Sequence, residues 1–272
     1  MAVVAIDVNC DMGEGFGAWQ LRETDDDILI KLISSANIAT GFHAGDPSLM
    51  DRTVRMAAEH GVGVGAHPGY RDLQGFGRRR IDGSTAELVN DIIYQVGAVR
   101  EFAKRHGTVL QHVKPHGALY MELAVNEEFS DAFVRYMRKV QPDTAIFCMD
   151  MSVTYEIARA AGQPVIREFF ADRDYADDGS IVFTRRVGRL DPDAIAEKVV
   201  KACKTGKVTT VTGNEIGIDF ESICFHSDTL GSAEIATAMR QRLTESGIRI
   251  VPVSQILGRE SPKRQEDTHE QG

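Results

Sequence analysis

Short apolar runs rich in β-branched residues alternate with amphipathic helical segments along almost the whole chain, and this alternation most constrains its fold. The strand-like runs are VVAIDVN, NIATGF, GVGVGAH, VLQHVKPH, TAIFCM, PVIREFFAD and SICFHSD. Repeated βα units form parallel sheets, because each helix carries the chain back to the start of the next strand. The pattern predicts an α/β fold of seven or eight parallel strands. A closed or nearly closed β/α barrel is favoured over an open doubly wound sheet.

The chain of 272 residues has the length of one α/β barrel, and no linker divides it. We expect a single barrel domain over residues 1–257 and a polar, disordered tail over residues 258–272. Between the strands, DDDILIKLISSA is predicted as the first helix, and a long helix is predicted from Ser84 to His106.

Composition excludes several classes of protein. The net charge of −9 and the lack of a long basic stretch argue against nucleic-acid binding. GFGRRRID, the most basic run, is either a solvated loop or an anion contact. We find no basic leader before the first apolar run and no apolar run of membrane-spanning length. The widely spaced cysteines predict reduced thiols, and hence a cytoplasmic protein: Cys10, Cys148, Cys203 and Cys224.

Chemically versatile side chains follow the predicted strands at the point where each strand ends. Because the carboxyl ends of parallel strands converge on one cleft, these side chains predict a single composite active site. They are His43, His67, His112, His116 and His226, with Asp11, Glu14, Lys114 and Asp228. His112 is equally compatible with a core position.

The individual motifs suggest roles for these residues. Asp11, His43 and His67 have the composition of an open metal site, although neutral hydrogen-bonding roles would use the same residues. Lys114 and His116 share one face of a strand end and suit an anion.

Two further pairs follow later strands. Arg173, after Asp172, offers a fork for a carboxylate or phosphate. His226 and Asp228 form a pair in which the aspartate orients the imidazole or binds a cation. The sequence has neither a dinucleotide-binding glycine motif nor a P-loop, so a nucleotide would bind without those devices.

Taken together, these segments resemble the LamB/YcsF family. The resemblance runs in order from NCDMGEGFG through SANIATGFHAGDP, GVGVGAHPGYRDLQGFGRR, LQHVKPHGALY and FFADRDY to ICFHSDTLGS, roughly residues 6 to 255. It implies a seven-stranded β/α barrel of the glycoside hydrolase/deacetylase type. It also implies a hydrolase acting on a cyclic amide, the A subunit of a 5-oxoprolinase. This enzyme opens 5-oxo-L-proline to L-glutamate with ATP hydrolysis, using separate B and C subunits.

The implied reaction assigns roles to the strand-end residues. Asp11 or Glu14, with His43 and His67, would activate water or hold a divalent metal. The phosphate or carboxylate would be bound by Lys114, His116 and Arg173, and His226 with Asp228 would move protons.

Two alternatives are compatible with the same residues. One is a metal-dependent deacetylase or amidohydrolase that needs no ATP. The other is a non-catalytic protein of a larger assembly whose cleft only binds a ligand.

Overall fold

The computed structural model describes residues 5–20, 25–183 and 188–258. Seven parallel strands form its centre: β1 (Ala5–Met12), β2 (Ser35–Ala39), β3 (Gly63–His67), β4 (Leu110–Val113), β5 (Ala145–Cys148), β6 (Val165–Phe170) and β7 (Ser222–Phe225). Each strand pairs with the next along the chain, and β7 pairs back with β1, so the sheet closes. The predicted closed α/β barrel is confirmed.

The helices surround this barrel. They are α1 (Asp26–Leu29), α2 (Pro47–His60), α3 (Thr85–Arg105), α4 (Gly117–Val125), α5 (Glu127–Val140), α6 (Val153–Ala161), α7 (Pro192–Thr205), α8 (Ser232–Glu245) and α9 (Val253–Ile256). None of the helices in the described ranges is long and apolar enough to cross a membrane. Short strands outside the barrel are Gly15–Phe16 with Trp19–Gln20, Lys207–Thr209 with Glu215–Gly217, and Arg249–Ile250 beside the start of β1.

Local chemistry explains where two of the long helices begin and end. The Asp46 carboxylate accepts hydrogen bonds from the amides of Ser48 and Leu49 at the start of α2, and Gly61 closes the helix in the left-handed region at φ 68°. Ser84 and Glu87 form a capping box at the start of α3. The long helix predicted from Ser84 to His106 is therefore confirmed, with the two end residues serving as caps.

Two local expectations differ from the structure. The DDDILIKLISSA segment is helical only over α1, because the Ser34 amide bonds to the Val8 carbonyl at 2.8 Å and draws the chain into β2. Helix α4, which begins directly after His116, was not predicted. The domain division at residue 257 stays a prediction, and residues 259–272 lie outside the described part.

Strand β1 shows how the barrel separates its two surfaces. Ile6, Val8 and other alternate residues pack into the apolar layer between strands and helices. Asp7, Asn9 and Asp11, two residues apart, point into the barrel interior, as the pleat of a strand requires. The inside of this barrel is therefore polar. The polarity continues to the mouth of the barrel, which is the end where the carboxyl ends of the strands lie.

Candidate active site at the mouth of the barrel

A buried ion pair lies at the centre of the mouth. Lys114 Nζ, just beyond β4, is 3.0 Å from Asp11 Oδ1 at the end of β1 and 3.6 Å from Glu168 Oε1 on β6. It also lies 3.0 Å from Cys224 Sγ, and Asn37 Nδ2 donates to Asp11 Oδ1 at 2.9 Å. Lys114 is only 2% exposed, so it is not the surface lysine that its residue type would suggest.

The neighbours of Asp11 and Lys114 keep both side chains charged in spite of burial. Although burial pushes the pKa of Asp11 upward, the contacts with His67 and with the Lys114 ammonium hold it well below its usual range. Burial likewise opposes the charge of Lys114, but Asp11, Cys224 and Glu168 raise the pKa of the ammonium well above its usual value. Burial raises the pKa of Glu168 to about 7, against the opposing effect of Lys114. Asp11 and Lys114 are therefore charged at neutral pH.

Three histidines and a glutamate form a second group on one side of the mouth. The His67 and His116 rings meet edge to face, with His67 Nε2 2.9 Å from His116 Nδ1. His43 stacks on His116 with the ring centres 3.8 Å apart, and its Nε2 lies 3.3 Å from Glu14 Oε1. One ligand atom from each of the four residues lies within 4.8 Å of the others, so the group could hold a metal ion. We call Glu14, His43, His67 and His116 the histidine cluster.

Burial controls the charge of this cluster. It lowers the pKa of His43 and of His116 well below the usual value, assisted by the neighbouring imidazoles. Burial, with the charges of Asp11 and Asp228, raises the pKa of Glu14 well above its usual value.

Glycines let the surrounding backbone approach the histidine cluster closely. A Cβ on Gly69 would lie 2.6 Å from His43 Nδ1, and one on Gly77, at φ 61°, would lie 2.7 Å from the Cβ of His43. Only glycine fits at these two positions without displacing the ring. The glycines of the GAHPGY and GFGRRR segments therefore clear space for the cluster.

A second charged group lies on the opposite side, after β6 and β7. The Asp172 carboxylate contacts His226 Nδ1 at 3.0 Å and Arg173 Nη1 at 2.8 Å, and it accepts a hydrogen bond from the Thr229 hydroxyl at 2.6 Å. Burial alone would raise the pKa of Asp172, but His226 and Arg173 hold it well below its usual range. Burial and Arg173 lower the pKa of His226.

One predicted pairing is corrected by this geometry. The carboxylate that orients His226 is Asp172, since Asp228 pairs instead with Arg78, 2.7 Å from Nη2 to Oδ2. The two-residue spacing of His226 and Asp228 suggested a common face, but the chain turns after β7, and Arg78 reaches across to Asp228. Arg78 comes from the GFGRRRID run and is the arginine of that run that lines the cleft.

The structure places the predicted residues together, with one exception. Asp11, His67, Lys114, His116, Arg173 and His226 all line one cleft, and Glu14 and His43 contact it from behind. Asp228 reaches the cleft only through its ion pair with Arg78. The exception is His112, which lies deeper in the barrel. It bonds to Asn37 at 2.8 Å, and burial lowers its pKa to about 3, so the core alternative is the one realised.

Three contributors to the mouth were missed from the sequence. Arg78 was one of three adjacent arginines with nothing to distinguish it, and Tyr120 lies on the unpredicted helix α4. Glu168 carried a usable signal, namely a charged residue inside the apolar run VIREFF, at even spacing from Phe170, whose ring lines the cleft.

Comparison with known proteins places this geometry in a family. A model of the LamB/YcsF family matches residues 6–258. A 5-oxoprolinase A subunit from Pseudomonas aeruginosa is 58% identical over 245 residues, covering 90% of this chain and 97% of that protein. The 5-oxoprolinase A subunit from Mycobacterium avium is 45% identical over 250 residues, covering 91% and 98%.

A solved structure shows the same fold. The lactam utilization protein from Thermus thermophilus superposes with a TM-score of 0.84 at 36% identity, covering 91% of this chain and 99% of that one. Since the family model spans nearly the whole barrel and the relatives align almost end to end, this chain belongs to the LamB/YcsF family.

Proposed function

We propose that this chain is the A subunit of an ATP-dependent 5-oxoprolinase, a hydrolase that opens 5-oxo-L-proline to L-glutamate. Relatives matched over almost their full length carry the 5-oxoprolinase name, and the Thermus thermophilus relative is named for lactam utilization. The observation that carries the proposal is one cleft lined by a buried Asp11–Lys114 ion pair, an oriented imidazole at His226 and the guanidinium of Arg173.

The reaction needs activation, because resonance makes a lactam carbonyl a poor electrophile. Transfer of the ATP γ-phosphoryl group to the lactam oxygen forms an O–P bond and releases ADP. Water then adds to the activated carbon and the C–N bond breaks, with a proton passing to the ring nitrogen. Hydrolysis of the resulting acyl phosphate by a second water gives glutamate and phosphate. These steps call for a base, a cationic site for phosphate and a fork for the substrate carboxylate.

His226 is suited to be the base. The ionised Asp172 carboxylate accepts a hydrogen bond from His226 Nδ1, so the neutral ring keeps its lone pair on Nε2. The His226 ring lines the cleft, with Nε2 3.8 Å from Asp11 Oδ2. A base oriented by a buried carboxylate is the arrangement that activates nucleophiles in many hydrolases. In this assignment His226 takes the proton of the attacking water and later returns it to the departing nitrogen.

Anion binding falls to the cationic groups. Arg173 lines the cleft beside His226, and we assign it to the substrate carboxylate or the phosphate. Lys114 keeps Asp11 ionised and supplies positive charge to the cleft that it lines. Asp228 acts through Arg78, which it holds at the rim of the cleft. His116 contacts His67 and Glu14, so we assign it to the histidine cluster instead of to anion binding.

The remaining components follow from the same proposal. ATP is the co-substrate, with Lys114 and Arg173 as the predicted contacts for its transferred phosphate. Separate B and C subunits complete the complex, and the free thiols of all four cysteines are compatible with the cytoplasm. A divalent metal on Asp11, His43 and His67 stays a prediction from the sequence.

The test is glutamate release from 5-oxoproline, measured with and without ATP, for the chain alone and with its B and C subunits. Glutamate that appears only with ATP and all three subunits supports the proposal. With active partners confirmed, no glutamate under any condition would contradict it.

A metal-dependent amidohydrolase is the second candidate, and the histidine cluster is the observation that favours it. Such an enzyme would hydrolyse an amide or acetyl substrate without ATP. Release of glutamate or acetate by the chain alone, dependent on a divalent metal and indifferent to ATP, would support this alternative against the first.

A further inference from the structure

The histidine cluster has an arrangement of protons that the proposed function does not use. Two of its rings are fixed by backbone carbonyl groups. His67 Nδ1 lies 2.6 Å from the carbonyl oxygen of Lys114, and His116 Nε2 lies 2.8 Å from that of Phe76. A carbonyl oxygen only accepts hydrogen bonds, so both of these ring nitrogens must carry the hydrogen. In the uncharged rings, the lone pairs are therefore on His67 Nε2 and His116 Nδ1.

These two lone pairs point at each other. His67 Nε2 and His116 Nδ1 are 2.9 Å apart, and neither uncharged ring has a hydrogen to place between them. Glu14 Oε1 lies beside them, 3.7 Å from His116 Nδ1 and 3.3 Å from His43 Nε2, and its carboxylate would complete the set once a bound cation had displaced its proton. Two acceptor nitrogens that face each other repel unless a proton or a metal cation lies between them.

The surroundings are those of metal-binding histidines. A ligating imidazole normally donates its other N–H to a backbone carbonyl or a carboxylate, which fixes the tautomer and the ring orientation. His67 and His116 both do so, and Gly69 and Gly77 clear the space beside the rings. The four side chains are buried, with at most 2% of each residue exposed. His43 is the least constrained member, because its Nδ1 has no hydrogen-bond partner among the described residues.

We propose that the chain binds one divalent transition-metal ion, with Zn²⁺ as the best fit, through Glu14, His43, His67 and His116. Three imidazole nitrogens and one carboxylate oxygen suit Zn²⁺ and its neighbours better than Mg²⁺, which prefers oxygen. The proposed ion would therefore differ from the Mg²⁺ that phosphoryl transfer from ATP generally uses. Metal binding by this cluster does not depend on the proposed function. Any catalytic use of the bound ion does rest on the proposed function.

This ligand set differs from the one predicted from the sequence. Asp11 is near His67, 3.3 Å from Oδ2 to Nε2, but its other oxygen is held by Lys114 and Asn37. An ammonium group 3.0 Å away already neutralises this carboxylate. Glu14 and His116 replace Asp11 in the proposed site. When bound, the ion would supply Lewis acidity at the wall of the cleft, which His67 and His116 line.

The test is metal binding by the purified full chain, stripped with a chelator and titrated with Zn²⁺ by calorimetry in the absence of ATP, substrate and partners. Co²⁺ titration, followed by its visible absorption, reports the ligand environment independently. We expect one ion per chain for the wild type. Glu14→Gln and His116→Gln should each weaken binding by more than about 100-fold, since loss of a supporting contact alone weakens metal binding by about 10–100-fold.

His226→Gln is the matched control, because His226 lines the same cleft but is not in the ligand set. It should bind Zn²⁺ with the wild-type stoichiometry. A rise in the melting temperature of the wild-type chain on adding Zn²⁺ provides a measurement that needs no variant to fold.

Two results would overturn the proposal. One is the absence of stoichiometric binding of Zn²⁺ or Co²⁺ by the wild-type chain, in which case the two histidines share a proton. The other is binding that survives Glu14→Gln and His116→Gln but is lost in Asp11→Asn. Neither result depends on glutamate release, so failure of the proposed function would be seen separately.

Discussion

The floor of the barrel, the end of β1 that holds Asp7, and its mouth, the end that holds Asp11, shift the pKa of the same residue type in opposite directions. Asp7, on the floor, accepts hydrogen bonds from the hydroxyls of Ser34, Ser35 and Ser222, and burial raises its pKa to about 6. Asp11, four residues further along the same strand, contacts the Lys114 ammonium, which together with His67 holds its pKa well below the usual range despite burial. Hydroxyl donors only partly offset the effect of burial on the pKa of Asp7, whereas the cationic partner of Asp11 outweighs it. The barrel therefore concentrates fixed charge at the end where the cleft opens.

A layer of amides connects the two regions. Asn9 donates to Ser222 at 2.8 Å and to Glu168 at 3.1 Å, and Asn37 donates to Asn9 at 2.8 Å and to Asp11 at 2.9 Å. Floor and mouth thus belong to one hydrogen-bonded network. Substitutions can show whether the function also extends through it or remains at the mouth.

Lys114→Met should have the largest effect. It leaves Asp11 and Glu168 buried without their cation, and breaking a buried pair by removing one partner costs about 3–5 kcal/mol. Glutamate formation by the proposed complex with B and C subunits should fall at least about 10³-fold. Urea unfolding and the glutamate assay measure the two effects. Lys104→Met, which removes an exposed lysine paired with Glu101, is the control and should change neither appreciably.

Asp172→Asn should destabilise the other side of the mouth by about 3 kcal/mol, measured by urea unfolding. The buried Arg173 would lose its carboxylate, and His226 would lose the acceptor that fixes its tautomer. Activity should fall through kcat, and the pH dependence of kcat should change, because His226 is the proposed base. If neither the stability nor the pH profile of kcat changes, Asp172 does not orient His226 and His226 is not the base.

The raised pKa of Asp7, on the floor of the barrel, should affect how the free energy of unfolding depends on pH. The folded pKa of Asp7, about 6, lies above its usual value of 3.8, so the folded protein holds this proton at pH values where the unfolded chain releases it. The contribution of Asp7 to the free energy of unfolding should therefore fall as pH rises from about 4 to 6, by an amount of order 3 kcal/mol. Asp7→Asn removes this contribution. The difference in urea midpoints between wild type and variant should change across that window and stay constant above it; a difference independent of pH would be inconsistent with a protonated Asp7.

Thr229→Val should have the smallest effect of the four. It preserves side-chain shape but removes the 2.6 Å hydrogen bond to the Asp172 carboxylate, which should lower the free energy of unfolding by about 2 kcal/mol. Thr237→Val is the matched control, because Thr237 is exposed and its hydroxyl bonds only within α8. If the free energy of unfolding falls no more than in the control, the hydrogen bond from Thr229 to Asp172 contributes less to stability than its length and burial indicate.

The sequence predicted the mouth well because strand ends have a recognisable pattern. An apolar run followed by histidine and glycine, as at His43 and His67, marks the carboxyl end of a strand, and barrel closure brings those ends together. Which charged side chains pair with each other could not be predicted in the same way. Whether His226 pairs with Asp228 or Asp172 depends on how the chain turns after β7, which local spacing does not encode.

Helix prediction failed where neighbouring strands decide the conformation. The DDDILIKLISSA segment has helical periodicity, but hydrogen bonds of Ser34 to β1 end the helix early. The metal ligand set could not be predicted from the sequence either. The position of each lone pair depends on which carbonyl group accepts the hydrogen bond from the other ring nitrogen.

Ring opening at the mouth of this barrel is tested by comparing Asp11→Asn with Asp7→Asn in the proposed complex with B and C subunits. Both variants change one inward-facing carboxyl group of β1 to an amide. We expect Asp11→Asn to lower ATP-dependent glutamate formation by about 10²–10³-fold and Asp7→Asn to stay within about threefold of wild type. Equal losses in the two variants, or full activity in Asp11→Asn, would contradict ring opening at the mouth.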